Sequence, residues 1–278
     1  MAAETVRFAP SPTGWLHLGH AYSAWFADQQ RDGGKFLLRI EDIDSARTRP
    51  EYVQGIFEDL AWLGIRWEEP PMFQSERSSA YIQALTQLKD LGVVYPCFCS
   101  RAEISNALGA PHSAEPHYPG TCRKLTPSES QEKIASGAAY AYRLDLSRAE
   151  ALTGPLEWTD RRRGRQTVPF YALSDPVLSR KDAPTSYHLS SVTDDAESGV
   201  SLVTRGSELF VSTHIHRIIQ ALLGFPTPEY EHHPLVGDAF GNRLAKRDSA
   251  ISLRSLRTAG ISPGEVIAKA RGQLIEGS

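Results

Sequence analysis

The stretch Val6-Arg7-Phe8-Ala9-Pro10-Ser11-Pro12-Thr13-Gly14-Trp15-Leu16-His17-Leu18-Gly19-His20 decides how this chain folds. Its first four residues read as a short strand, which the Pro-Ser-Pro-Thr-Gly run ends in a turn. Residues 19–31 then follow a helical pattern with an apolar face, and Gly33-Gly34 stops it. Residues 35–40, with Phe36-Leu37-Leu38 inside, read as a buried strand. Strand, long crossover helix and strand make a βαβ unit, which predicts a parallel sheet with right-handed connections.

Working outward, helices are expected at about 50–63 and 78–91, strands at 189–194 and 200–205, and a helix at 212–223. Between them, residues 93–185 are rich in Pro, Gly and Ser and hold every cysteine. The reading is an α/β fold, a doubly wound parallel sheet split by an inserted subdomain. Its expected parts are a first half (1–92), the insertion (93–185), a second half (186–230), and a loop with a short helical C-terminal segment (231–278).

Composition excludes several classes. The chain has 278 residues, 41 % hydrophobic and 23 % charged, which is ordinary for a globular protein with a sizeable core. A net charge of -3 advertises no polyanionic partner, so any nucleic-acid contact must rest on local basic patches. The densest is Arg161-Arg162-Arg163-Gly164-Arg165, which suits an RNA backbone or a solvated turn equally. There is no secretory signal, and no stretch approaches the roughly 20 apolar residues that span a bilayer. Three cysteines cannot make a full disulfide framework, so a cytoplasmic protein without membrane attachment is expected. Nothing sets an oligomeric state, and a monomer is the default.

Four constellations carry chemistry. His17, Gly19 and His20 lie between the first strand and first helix, at the carboxyl edge of the sheet where open α/β folds bind ligands. The helix N-terminus and two imidazoles could hold phosphate oxygens, and Gly19 leaves bare backbone for a flat nucleobase. Near the other end, Gly241-Asn242-Arg243-Leu244-Ala245-Lys246-Arg247-Asp248 suits a mobile loop closing over a triphosphate. In Arg39-Ile40-Glu41-Asp42-Ile43-Asp44, Glu41 could pair with an ammonium, while Arg7 and Arg205 could clamp carboxylates. Tyr187 offers a hydroxyl at the mouth of the strand expected at 189–194. Finally, Cys97-Phe98-Cys99 and Cys122 supply three thiolates for a tetrahedral zinc site, with Tyr118, His117 and His112 as nearby fourth donors. Singly, each set has a bland reading as surface histidines, a basic turn, ion pairs or buried thiols.

Together they resemble one family. The run from Arg7 to His20 resembles the HIGH signature of the class I aminoacyl-tRNA synthetases, in its glutamyl/glutaminyl form. The 241–248 loop resembles their KMSKS loop, with Lys246 at the second lysine, Arg243 replacing the first and Ala245 replacing a common serine. The resemblance implies a Rossmann-like catalytic domain with His17, His20 and Lys246 as catalytic residues. It implies that His17, Gly19, His20, Arg243 and Lys246 bind ATP with Mg²⁺, and that Arg7, Ser11, Glu41, Tyr187 and Arg205 hold L-glutamate. Ser191 stands where the family often has Asn. The cysteines are similar to the zinc knuckle of the stand-alone paralogues of the glutamyl core, which points to Tyr118 as fourth ligand of one structural Zn²⁺. Only 30 residues follow the Lys246 loop, so no anticodon-binding domain is expected. The paralogues with this build make glutamyl-adenylate without RNA and transfer glutamate to the queuosine base in the anticodon of tRNA(Asp). The alternative is a truncated glutamyl- or glutaminyl-tRNA synthetase charging a tRNA 3′ end.

Overall fold

The computed structural model describes residues 3–100, 103–104, 118–237 and 251–275. In chain order the first part runs β1 (Thr5–Phe8), α1 (Leu18–Gln30), β2 (Lys35–Ile40), α2 (Pro50–Trp62), β3 (Glu68–Phe73) and α3 (Ser78–Asp90). The middle contributes β4 (Val94–Cys97), α4 (Pro127–Ala135), β5 (Ala141–Leu144), α5 (Leu146–Thr153), β6 (Glu157–Asp160), β7 (Gly164–Thr167) and β8 (Val177–Ser179). The remainder is α6 (Tyr187–Glu197), β9 (Leu202–Gly206), α7 (Phe210–Leu223), β10 (Glu229–His233), β11 (Leu235–Val236), α8 (Leu253–Thr258), α9 (Pro263–Gly272) and β12 (Leu274–Ile275).

The βαβ unit forms as expected. β1 and β2 pair in parallel with Val6 opposite Phe36 and Phe8 opposite Leu38, and α1 crosses between them. Gly34 passes the first strand so closely that a Cβ would lie 2.0 Å from the Glu4 carbonyl oxygen, to which the Lys35 amide donates at 2.9 Å. Only glycine fits there. β3 joins the far side of β2 in parallel, an element with no expectation in the sequence. Its Glu-Glu-Pro-Pro-Met-Phe hides it, because proline cannot donate to a ladder; at the sheet edge that loss is tolerated.

β9 runs beside β1. The Ser201 amide donates to the Thr5 carbonyl at 3.0 Å, and the Thr5 amide donates to Ser201 Oγ at 2.9 Å. The second sheet has the order β7-β6-β10-β9. Its β6 and β7 come from within 93–185, so part of the segment read as an insertion completes the second half of the fold. The remainder of that segment forms the antiparallel sheet β4-β5-β8.

The strand expected at 189–194 is instead the middle of helix α6. Leu189 through Asp195 are all buried, so the segment shows no polar face from which a helical period could be read. Ser190 and Thr193 satisfy their hydroxyls by donating to the carbonyls four residues back, at 3.0 and 2.8 Å. Asp194 receives Gln74 Nε2 and Arg77 Nε at 2.7 Å and Tyr81 Oη at 2.9 Å, which ties α6 to α3.

Two apolar clusters hold these layers. One packs Val6, Phe36, Leu38 and Ile40 against α1, α2, Leu253 and Val266. The other gathers Leu144, Trp158, Leu189, Ile218 and Tyr230 between the second sheet, α6 and α7. Each fully buried Leu, Ile or Phe contributes about 1.5–3 kcal/mol of transfer free energy. Trp15 rests on Gly55 of α2, where a Cβ would come within 2.6 Å of its ring, while the Arg254 guanidinium of α8 lies 4.7 Å from its centre. The Pro-rich turn is thereby clamped from two sides. No helix among the described residues is long and apolar enough to cross a membrane.

One core position works against stability. Asp59 of α2 is buried, neither carboxylate oxygen has a hydrogen-bond partner, and Arg257 stands 3.7 Å away. Burial pushes its carboxyl up to about 6, and Arg257 only partly offsets this. A raised folded value means that stability is greatest when the group is protonated and declines as pH rises through about 6. Asp59→Asn should therefore stabilise the protein by about 1–2 kcal/mol at pH 8. That gain should shrink as pH falls below about 6 and vanish only below the ordinary carboxyl value of 3.8 in urea unfolding; a pH-independent difference would refute the assignment.

Candidate active site

Two histidines build the N-terminus of α1. His17 is the N-cap, and its Nδ1 accepts from the Gly19 amide at 3.1 Å. His20, one turn on, completes the box: its Nδ1 accepts from the His17 amide at 3.2 Å. This is a capping box made of imidazoles in place of the usual Ser and Glu. Because both Nδ1 atoms accept, each neutral ring carries its proton on Nε2, the tautomer that donates to an incoming oxygen. A Cβ at Gly19 would sit 3.1 Å from His17 Cε1, so a side chain there would press the ring out of its cap.

The carboxyl ends of β1, β2 and β9 face this helix end and deliver three arginines. Arg7 and Arg39 share one carboxylate: Asp195 of α6 accepts from Arg7 Nε at 3.1 Å and from Arg39 Nη1 at 2.5 Å. Arg7 Nη1 also donates to the Thr204 carbonyl at 2.9 Å, and Arg39 Nη2 to Glu41 at 3.2 Å. Burial alone would raise the Asp195 carboxyl, but Arg7 and Arg39 outweigh it and hold it below the usual range. Burial dominates at Glu41, whose carboxyl is raised despite Arg39. Ser191 lies 3.5 Å from Arg39 and touches that guanidinium from behind.

Arg205 is held differently. Its Nη1 donates to Tyr187 Oη at 3.2 Å and lies 3.3 Å from His216 Nδ1, its Nε donates to His232 Nε2 at 3.4 Å, and Nη2 donates to Thr213 Oγ1. No carboxylate among the described residues lies within ion-pair distance of it. Burial and the nearby Arg205 charge push the His188 ring down to about 4 and drive His216 well below its ordinary value, so both stay neutral. Tyr187 is the first residue of α6 and stands at a helix start, not at the mouth of a strand.

Arg7, Ser11, His20, Glu41, Tyr187 and Arg205 all line one cavity of about 320 Å³. That lies at the small end of ligand cavities, about 300–1,000 Å³. Its lining carries three guanidinium groups, of Arg7, Arg39 and Arg205, and two carboxylates, of Glu41 and Glu208, beside a helix N-terminus. With Arg39 spent on Asp195 and Glu41, the arrangement suits an amino acid with an acidic side chain. Gly241-Asn242-Arg243-Leu244-Ala245-Lys246-Arg247-Asp248, with its Arg243 and Lys246, lies outside the described residues.

A second cluster forms at the end of β4. The sulfurs of Cys97, Cys99 and Cys122 lie within 4.8 Å of one another, with Cys99 and Cys122 at 3.5 Å. Thiolates at the corners of a zinc tetrahedron stand about 3.8 Å apart, so this group could hold a metal ion. Tyr118 Oη sits 3.5 Å from Cys97 and 3.9 Å from Cys99, while His112 and His117 lie outside the described residues. Burial pushes the Cys99 thiol up to about 11; at Cys122 burial is outweighed by donors, the Phe98 amide first. A cleft of about 1020 Å³ opens beside the cluster, bordered by Arg47, Arg143, Arg180 and Lys181.

The profile described as "tRNA synthetases class I (E and Q), catalytic domain" matches residues 4–270. The chain belongs to this family. It is 47 % identical over 273 residues to a protein of Rhodobacter capsulatus named glutamyl-Q tRNA(Asp) synthetase, covering 94 % of this chain and 97 % of the relative. It is 40 % identical to a glutamate–tRNA ligase 2 of a Methylobacterium species, covering 95 % of this chain and 59 % of that protein. The crystal structure of a glutamate–tRNA synthetase from Elizabethkingia anophelis superposes with a TM-score of 0.74 at 30 % identity, over 89 % of this chain and 53 % of the other.

Within the synthetase core, the basic run 161–165 is engaged in the fold. Arg161 pairs with Glu4 and Glu229, Arg165 with Glu157, and Arg163 lies 4.6 Å from the centre of the Phe210 ring. The sequence left Arg39, Asp194 and Asp195 unassigned, though Arg39 and Asp194 stand in stretches that it singled out and Asp195 follows directly. Their available signal was an arginine inside an apolar strand, which needs a buried carboxylate somewhere.

Asp195→Ala would leave two buried guanidinium groups without their shared carboxylate. It should cost about 3–5 kcal/mol in urea unfolding. Asp44→Ala, which removes the ion pair to the exposed Arg47, should cost under about 1 kcal/mol. Equal effects would refute the role given to Asp195.

Proposed function

We propose that this chain activates L-glutamate with ATP, without RNA, and transfers it to the queuosine base in the anticodon of tRNA(Asp). The observation that carries glutamate activation is the convergence of Arg7, Glu41, Tyr187, Arg205 and Ser11 with His20 on one cavity. The queuosine acceptor is supported by relatives at 41–47 % identity that bear the glutamyl-Q tRNA(Asp) synthetase name, one of them covered over 97 % of its length.

In this reading Arg7 and Arg205 each bind a carboxylate in the fork geometry of guanidinium, and Glu41 binds the ammonium. Tyr187 and Ser11 complete the polar lining. The α-carboxylate oxygen attacks the α-phosphorus of ATP, the bond to the bridging oxygen breaks, and diphosphate leaves. His17 and His20 donate through Nε2 to phosphate oxygens at the positive end of α1. Arg243 and Lys246 close over the diphosphate, neutralising charge as it develops. Mg²⁺ arriving with ATP would add further charge neutralisation. A hydroxyl of the queuosine cyclopentene ring then attacks the mixed anhydride, releasing AMP.

Cys97, Cys99 and Cys122, with Tyr118 as fourth donor, are proposed to hold one structural Zn²⁺, which would cross-link the end of β4 to the turn at Cys122. Protein prepared without chelator should carry about one equivalent of zinc. Cys99→Ser should lose most of it and unfold at lower temperature, while keeping glutamate activation at temperatures where it remains folded. Content below about half an equivalent in the parent protein would count against the site.

The deciding experiment is glutamate-dependent ATP–diphosphate exchange without RNA, followed by transfer of labelled glutamate to tRNA(Asp) with and without queuosine. Exchange without RNA and label only on the modified tRNA is the expected result. Exchange that requires tRNA(Glu), with label at its 3′ end, would make the chain a truncated synthetase. Arg205→Lys keeps the charge but loses the fork; it should raise the KM for glutamate at least about tenfold, with the KM for ATP unchanged.

A further inference from the structure

Behind Arg205 runs a buried chain of polar groups that reaches away from the cavity. Thr213 Oγ1 accepts from Arg205 Nη2 and lies 3.0 Å from His232 Nε2. His232 Nδ1 lies 2.6 Å from Asp160 Oδ2, and both side chains are fully buried. Asp160 is itself over-determined: its Oδ1 accepts the amides of Arg162 and Arg163 at 2.9 and 2.8 Å, and its Oδ2 accepts the His232 amide at 3.2 Å. These residues come from three elements, β6, α7 and β10, and none touches the cavity.

The proton bookkeeping starts at Asp160. Asp160 accepts four hydrogen bonds, which an ionised carboxylate does and a protonated one does not. Facing that carboxylate, His232 places its proton on Nδ1. Nε2 is then an acceptor on whose single lone pair Arg205 Nε at 3.4 Å and Thr213 Oγ1 at 3.0 Å converge, while the Leu209 carbonyl at 3.3 Å is a second acceptor for the Thr213 hydroxyl. Thr213, having donated its proton, accepts from Arg205 Nη2. Every direct partner of Arg205 among the described residues is therefore a neutral acceptor: two hydroxyls and two ring nitrogens. Arg7 and Arg39, by contrast, spend their charge on Asp195 and Glu41.

We propose that Asp160, His232 and Thr213 are positioning residues for amino-acid selection. Asp160 fixes the His232 tautomer, His232 and Thr213 fix the angle of the Arg205 guanidinium, and the undiluted charge of Arg205 selects a side-chain carboxylate over an amide. This rests on the reading of the cavity as a glutamate site. It adds that discrimination against glutamine is set two residues behind the contact, by a carboxylate that never meets the substrate.

Asp160→Asn tests it with little insult to the hairpin, since Asn still accepts the Arg162 and Arg163 amides through Oδ1. Its Nδ2 would replace the acceptor at Oδ2, forcing His232 to carry its proton on Nε2 and to face Arg205 donor against donor. Thr213→Val keeps the shape and removes the hydroxyl link. Three readings are made on parent and variants: ¹⁵N NMR of the His232 ring, amino-acid-dependent ATP–diphosphate exchange with glutamate and glutamine, and urea unfolding. The expected result is an Nδ1–H tautomer in the parent and Nε2–H in Asp160→Asn. Both variants should raise the KM for glutamate about tenfold, keep the KM for ATP within about twofold, and narrow the glutamate-to-glutamine ratio. An Nε2–H tautomer in the parent, or unchanged glutamate KM in both variants, overturns the proposal alone. Parent protein that exchanges with no added glutamate dependence overturns the underlying reading and this proposal with it. If Asp160→Asn does not fold, Thr213→Val decides.

Discussion

The fold depends on one buried carboxylate placed between two arginines. Asp195 lies on α6, in the second half of the α/β core, while Arg7 and Arg39 lie on adjacent strands of the first. Neither arginine could remain in an apolar strand without a compensating charge, since an unpaired buried ion costs several kcal/mol. The pairing therefore fixes the angle at which the two halves meet. It also orients Arg7 toward the cavity and supports Glu41 through Arg39. Next to it, Asp194 ties the same helix to α3 through Gln74, Arg77 and Tyr81. Two consecutive aspartates thus link α6 to both of its polar neighbours.

The helix end shows how structural and functional readings of a motif can coincide. His17 and His20 satisfy each other's backbone amides, as a surface capping box would. The same bonds fix both tautomers and leave the ring proton on Nε2. Histidine in place of Ser and Glu gives the cap a second use, because the imidazole has another nitrogen and a serine hydroxyl has none.

Much of this was legible in the sequence. The βαβ unit, six of the residues that line the cavity and the three-cysteine group could be named from local patterns and from the resemblance that those patterns carried. What failed has specific causes. The segment 189–194 reads as a strand because its polar residues are buried, which erases the periodicity that betrays a helix. β3 was missed because its prolines are tolerated only at an edge. The Arg161–165 run suits an RNA backbone or a solvated turn equally in the sequence, and the partners of Arg161, Glu4 and Glu229, are remote along the chain. His232 and Asp160 stand 72 residues apart and have no local signature at all.

The clamp on the Pro-rich turn bears on synthesis as well as on architecture. The Leu253 amide donates to the Leu16 carbonyl at 2.8 Å, and Ser252 bridges His17 across the backbone. The first motif to leave the ribosome is thus completed by a segment made more than 230 residues later. At about 5–20 residues per second, the nascent chain spends many seconds with this corner unfinished. Closing so long a loop comes late on any folding route, because its entropy must be spent before the contact repays it. The corner at His17 should therefore be completed only after residues 252–253 are made, whereas the clustered Cys97, Cys99 and Cys122, the first and last only 25 residues apart, can meet while translation is still under way.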